Sequence, residues 1–294
     1  MLAQLVCLAL VVADVWARAW RIQLLVRGTG EDLSLRDGIA LNVIGDGASA
    51  VTPLRLGGEP ARVGVMLASG VPVPATLVAS GYEVLLTWPA LIGSALFLGW
   101  AFGSAWWAEA GPRFVDAVLV WWPWLVGILL LGVLAWLVAR RWKPLVGDDR
   151  VRALLRDTMS QWREMPWGRV ARSVPPTLVS ILTRTAVLPV LALTIPDPPS
   201  MGPVILGSFA LLYSQLVLPT PAGVGAVEFG FLAGAAGSMG PDHILVLALW
   251  RFYTTGIGLM AAGWLVVRLY GWGAVRRLLR ARTEAEPGDS TASP

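Results

Sequence analysis

The sequence predicts an all-α polytopic integral membrane protein, with about five transmembrane helices and two re-entrant helical hairpins arranged as an inverted repeat. Three observations carry that prediction. The composition is far from that of a soluble globule: 56% of the 294 residues are hydrophobic, 14% are charged, and the mean hydropathy is +0.65. Five segments are apolar over the roughly 20 residues that a helix needs to cross a hydrocarbon core. Two further apolar regions are interrupted by proline and glycine, carry glutamates, and are similar to each other.

The first span, residues 2–19, has no basic segment ahead of its apolar core and no clear small-residue cleavage site. It therefore reads as a mature span rather than a signal peptide. Further spans are expected at 82–106, 114–139, 174–195 and 244–267. Arginines set their orientation by the positive-inside rule. Arg18, Arg21 and Arg27 follow the first span, Arg140, Arg141, Lys143, Arg150, Arg152, Arg156, Arg163, Arg169 and Arg172 fill the loop after the third, and Arg268, Arg276, Arg277, Arg280 and Arg282 follow the fifth. These ends are expected to be cytoplasmic. The short loop with Glu109 and Arg113, and the loop around Asp197, fall outside. The chain is thus expected in the plasma (inner) membrane, multi-pass, with a cytoplasmic C-terminus.

Residues 39–80 and 202–240 are apolar, yet each has both flanks on one side of the membrane. Each is expected to enter and leave on that side, with Pro53, Gly57 and Gly58 turning the first hairpin and Pro219, Pro221, Gly223 and Gly225 turning the second. A kinked ordinary helix is the alternative. Between the third and fourth spans, Val151, Leu154, Leu155, Thr158, Met159 and Trp162 recur at helical spacing behind the cap candidates Asp148 and Asp149, which predicts a cytoplasmic interfacial helix over 148–165. Residues 271–294 are expected to form a disordered cytoplasmic tail, polar from 283 onward.

The two hairpins share a pattern. "TPLRLGGE" (52–59) and "TPAGVGAVE" (220–228) each carry Thr-Pro, two glycines and a glutamate. Arg18 and Arg184 precede them at similar distances, and Glu83 and Arg251 follow at similar distances. The first repeat covers about 1–107 and the second about 114–270. Because the arginines put the hairpins on opposite sides, the repeat is inverted, the arrangement that points to alternating access in transporters. Chance similarity of Gly-, Pro- and Thr-rich stretches competes with this reading. Inverted symmetry also leaves the first repeat one span short at its N-terminal end.

"TPLRLGGEPAR" with "YEVLLT", and "PTPAGVGAVEFG" with "ALWRFYTTGIGLMAAGW", resemble the membrane domain of the lysylphosphatidylglycerol synthase/flippase family (multiple peptide resistance factor type), including its single-domain relatives. The resemblance implies a lipid-translocating fold. It maps the family pattern onto Pro53, Gly58, Glu59, Arg62 and Glu83 in one half and Pro221, Gly223, Gly225, Glu228 and Arg251 in the other. Three departures stand out: no span ahead of the first, Ala222 where many members have a second glycine, and Val84 where many have arginine. The synthase members carry a soluble domain for which this sequence has no room, so lysyl transfer is not expected.

Ionisable residues at membrane depth are functional candidates by default. Arg55, Glu59, Arg62, Glu83, Arg184, Glu228 and Arg251 form the expected substrate-binding set, with guanidinium groups suited to phosphate oxygens. The competing reading makes Glu59 with Arg62, and Glu228 with Arg251, buried pairs that hold the hairpins in place. Arg18 and Arg21, beside Trp16 and Trp20, read as interfacial anchors, as do most tryptophans. One histidine and one cysteine make no metal or haem set, and there is no Walker A or Gly-x-Ser-x-Gly pattern, so neither cofactor nor catalysis is expected. Membrane lipids are the expected partners, nucleic acid is not, and a homo-oligomer or a lipid-modifying enzyme partner is compatible with the pattern. The expected function is lipid transport between leaflets; the alternative is a non-transporting partner of a lipid- or glycan-modifying enzyme.

Overall fold

In the computed structural model the chain is described over residues 1–52, 55–141, 149–216, 220–239 and 241–284, and the regular elements among them are all helices. They run α1 (Leu2–Gly28), α2 (Leu35–Val51), α3 (Gly58–Ala68), α4 (Val73–Arg141), α5 (Asp149–Glu164), α6 (Trp167–Arg172), α7 (Val174–Ala192), α8 (Met201–Ser214), α9 (Ala226–Leu232), α10 (Ile244–Arg251) and α11 (Ile257–Glu284). Four stretches are long and apolar enough to cross a membrane: Leu2–Gly28, Val73–Pro112, Trp167–Ala192 and Ile244–Leu269. The protein is multi-pass.

Residues 114–139, expected to form a separate span, continue α4 as helix, and most of their side chains lie outside the described ones. The short loop expected around Glu109 and Arg113 is accordingly helical. Residues 104–110, Ser-Ala-Trp-Trp-Ala-Glu-Ala, offer no turn chemistry ahead of Gly111 and Pro112, and the helix continues across Pro112 although proline has no amide to bond the Ala108 carbonyl. The stretch read as a disordered tail is helical as far as Glu284, past a left-handed Gly271 (φ +72°), and residues 285–294 lie outside the described residues.

In the two regions α2 packs against α3 and α8 against α9, each as an antiparallel pair. On α2 and α3, a Cβ on Gly45 would meet Arg62 Cγ at 2.4 Å and one on Gly58 would meet Ser49 Oγ at 2.0 Å. Residues 45 and 49 thus face 62 and 58 in reverse order. In the second hairpin, a Cβ on Gly207 would lie 2.1 Å from the Ala235 carbonyl and one on Gly230 3.0 Å from Leu211, again a reversed order. Small residues at these contacts let backbones approach, which is how helices associate where lipid removes the hydrophobic drive. Gly47 serves the same purpose between α2 and α11, where a Cβ would lie 2.2 Å from that of Ala262. Ser34 caps α2 by accepting from the Asp37 amide at 3.1 Å.

The two largest apolar cores among the described residues fall one in each half. The first gathers Ile22, Leu25 and Val26 of α1 with Leu41, Met66, Val78 and Tyr82, and reaches Val170 just ahead of α7. The second gathers Leu188 and Leu191 of α7 with Val204, Leu211, Phe231 and Trp250, and takes in Cys7 near the start of α1. Helix α1 therefore runs from the second core to the first and α7 runs the other way, so the two packed helices are antiparallel. Between the cores, near the middle of α1, the buried residues turn polar. At a 1.5 Å rise per residue, Asp14 lies about 18 Å from the start of α1 and Arg18 about 15 Å from its end.

Candidate functional site

Asp14, Arg18 and Arg21 sit at positions i, i+4 and i+7 of α1, one face of a helix. All three are buried. Arg18 contacts Asp14 at 2.9 Å and Asp46 of α2 at 2.7 Å. Arg184 of α7 contacts the same two carboxylates at 2.8 and 3.0 Å, and Ser180 donates to the other oxygen of Asp14 at 2.5 Å. Two arginines and two acids thus close a four-membered ring through α1, α2 and α7. Removing charges from water is offset only by such complete pairing.

A second group lies beside it. Glu83 of α4 is 5% exposed and is gripped by two arginines, Arg21 of α1 and Arg62 of α3. Arg62 also reaches Glu59 at 3.2 Å, but the Glu59 side chain is 61% exposed. Arg21 donates to Thr87 at 3.3 Å. The sequence-level pairing of Glu59 with Arg62 is therefore present but secondary, since the buried partner of Arg62 is Glu83.

Apart from Asp14, these charged groups line a common cavity of about 330 Å³, together with Arg55, Ser49, Thr177, Tyr213 and apolar residues such as Trp88 and Leu91. Arg55 stands apart. It occupies the tip of the first hairpin with a left-handed backbone (φ +57°), a conformation costly for a residue with a side chain. No ion pair or hydrogen bond holds its guanidinium among the described residues. Counting the described charges of the cluster, five arginines (18, 21, 55, 62, 184) face four carboxylates (14, 46, 59, 83), which leaves one positive charge in excess. That excess is Arg55.

The second half uses its charges differently. Arg251, at the end of α10, donates to Glu228 at 2.7 Å and to the carbonyls of Ala222 and Gly223 at 2.7 and 3.2 Å. Glu228 accepts from the Gly225 amide at 2.6 Å, which satisfies an amide at the start of α9 from the side chain three residues on. The tip itself is a 3-10 turn, Pro221–Gly223, with left-handed Ala222, Gly223 and Gly225. After Arg251 the helix carries a π turn, Phe252–Gly256, a feature frequent at functional sites. Neither Glu228 nor Arg251 lines the large cavity; the pair lies behind the tip, which packs on α2.

Of the expected set, the structure brings Arg55, Glu59, Arg62, Glu83 and Arg184 to one cavity and places Glu228 and Arg251 apart from it. Of the expected turn residues, Pro221, Gly223 and Gly225 do turn the second tip. Gly57 and Gly58 carry no left-handed angle; Arg55 takes it, and Gly58 provides close approach to Ser49 instead. Pro53 and Pro219 lie outside the described residues. Arg18 and Arg21 are corrected from interfacial anchors to buried members of the cluster, because Trp16 and Trp20, both exposed, point from the opposite face of α1. Asp14 and Asp46 were not singled out from the sequence. The helical spacing Asp14, Arg18, Arg21 is the signal that finds the first of these.

A family model described as the lysylphosphatidylglycerol synthase TM region matches residues 1–263. No curated protein and no solved structure matches the chain.

Proposed function

The chain belongs to the lysylphosphatidylglycerol synthase transmembrane family, and we propose that it moves an anionic or phosphate-bearing lipid, or a lipid-linked intermediate, between the leaflets. The observation that carries this reading is the charged cavity at mid-length of α1, with Arg55 on its wall and no ion pair to its guanidinium among the described residues. Charge at membrane depth is costly and marks transport paths. A guanidinium that closes no ion pair among the described residues is poised for the oxygens of a headgroup phosphate, which it engages through paired hydrogen bonds. In this reading the helical hairpins are re-entrant elements entering from opposite sides, and the antiparallel α1 and α7 are the symmetry-related supports on which alternating access turns. The chain acts without catalysis, and with no nucleotide-binding motif transport is passive or coupled to an ion gradient. It works in the plasma membrane with its C-terminus in the cytoplasm.

The test is translocation of fluorescent lipids in proteoliposomes of the purified chain. The wild type should speed crossing over empty vesicles, and Arg55→Gln should lose at least about tenfold of that rate, since a charge-assisted contact contributes roughly 1.5–3 kcal/mol, while remaining folded. No acceleration by the wild type across a broad headgroup panel would sink the reading.

One observation favours a second reading. Helix α5 docks on α4 through Trp162, stacked on Tyr82 at 4.3 Å, but leaves Leu155 and Met159 exposed. A non-transporting partner would use that face to hold a lipid- or glycan-modifying enzyme. It prevails if charged substitutions at Leu155 and Met159 abolish the cellular phenotype while Arg55→Gln leaves it intact.

A further inference from the structure

The two hairpin tips meet at a recess of about 60 Å³ lined by Asp46, Arg55, Arg184, Tyr213, Gln215 and Thr255, among others. Asp46, Arg55, Arg184 and Tyr213 also line the large cavity, so the recess is its inner corner. At the ~15 Å³ that one enclosed water needs, it holds about four waters, room for a tetrahedral oxyanion. Gln215, at the base of the second tip, is 3% exposed, and its amide nitrogen has no hydrogen-bond partner among the described residues. A buried amide donor left unpaired is costly. The fold nevertheless holds it there: Gly223, left-handed at φ +68°, leaves the space in which a Cβ would lie 2.8 Å from Gln215 Cγ.

Two donors without hydrogen-bond partners among the described residues therefore line one recess, Arg55 from the first tip on a strained backbone and Gln215 from the second in a buried slot. The acid of the recess, Asp46, is engaged by Arg18 and Arg184 and contributes no surplus negative charge. We propose that Arg55 and Gln215 form a site for a phosphate group carrying a single negative charge, clamped between the two hairpin tips. The single charge follows from the one excess arginine of the cluster, which a phosphodiester or a singly protonated phosphate balances and a dianionic monoester overshoots. The site rests on the lipid-moving reading for its lipid source alone. It deepens that reading by naming the group recognised, and by giving the second hairpin a neutral donor.

The experiment is calorimetric titration of the full chain in a neutral detergent with three probes: dihexanoylphosphatidylglycerol, dihexanoylphosphatidic acid and inorganic phosphate. The diester should bind more tightly than the monoester, and Arg55→Gln and Gln215→Leu should each weaken it by about tenfold. Gln215→Leu should leave the melting temperature unchanged or raised, because it removes an orphan donor at nearly constant volume. Binding of inorganic phosphate alone, weakened by the same substitutions, supports the site and assigns it to a free anion rather than a lipid. Variants that bind like wild type, or a monoester that binds more tightly than the diester, overturn the proposal. Binding that persists in a protein that moves no lipid sinks the transport reading and leaves the site standing.

Discussion

The two hairpins are built on similar sequence patterns and put their glutamates and arginines to different ends. In the first half Glu83 lies deep in the bundle between Arg21 and Arg62, facing a cavity. In the second half Arg251 stands at the related place and is used up by its own hairpin, through Glu228 and two carbonyls of the tip. A charge that faces open space can meet a ligand; one whose hydrogen bonds end on its own turn holds that turn. Similar motifs thus separate into a site and a staple, and the number of unfilled hydrogen-bonding positions tells them apart.

The largest effect that would break this comparison comes from the ring at mid-α1. Asp14→Asn leaves Arg18 and Arg184 sharing a single acid, and breaking a buried pair costs about 3–5 kcal/mol. Denaturation in detergent should show a loss of that order, and a melting temperature within a degree of wild type would contradict the ring as drawn. Next comes Gly207→Ala, whose methyl would meet the Ala235 carbonyl at 2.1 Å. Overpacking of this kind costs about 1–3 kcal/mol and should loosen the second hairpin, read as faster amide exchange over α8 and α9.

Arg251→Ala should cost about 2 kcal/mol, because it strands two carbonyls and a carboxylate. Its exchange signature should be confined to the second tip, and a change centred on the cavity would blur the distinction between site and staple. The smallest effect is Asp32→Asn. Arg27 hydrogen-bonds Asp32 at 2.8 Å between exposed side chains and holds that carboxyl below its ordinary value. The pair's contribution is present at neutral pH and is lost as the pH falls through the acid range. Exposed pairs of this kind contribute little, so no resolvable change in melting temperature at neutral pH is expected.

Much of this architecture was legible in the sequence. Apolar length marked α1, the first part of α4, α7 and α10–α11, and proline with glycine marked both hairpins. The charged centre was only half legible. Arg55, Glu83 and Arg184 stood out as charges in apolar surroundings, but Arg18 and Arg21 were masked by neighbouring tryptophans, because residues one or two apart in sequence point to different faces of a helix. Asp46 carried no such signal, lying between Gly45 and Gly47 in a stretch read only as part of the first hairpin. In the structure those glycines sit inside α2 so that Arg62 and Ala262 can approach. The join of two expected spans into one helix, α4, was illegible for a related reason: Gly-Pro is a breaker only where the residues around it offer the backbone another partner.

The central claim is that the cavity with Arg55 is the site and that Glu228 with Arg251 supports it from behind. The most direct measurement sets lipid translocation against melting temperature for wild type, Arg55→Gln and Arg251→Ala in one series of proteoliposomes. The account predicts that Arg55→Gln loses translocation at an unchanged melting temperature, while Arg251→Ala melts lower and keeps its rate per folded molecule. Full translocation by Arg55→Gln, with loss in Arg251→Ala at an unchanged melting temperature, would contradict it.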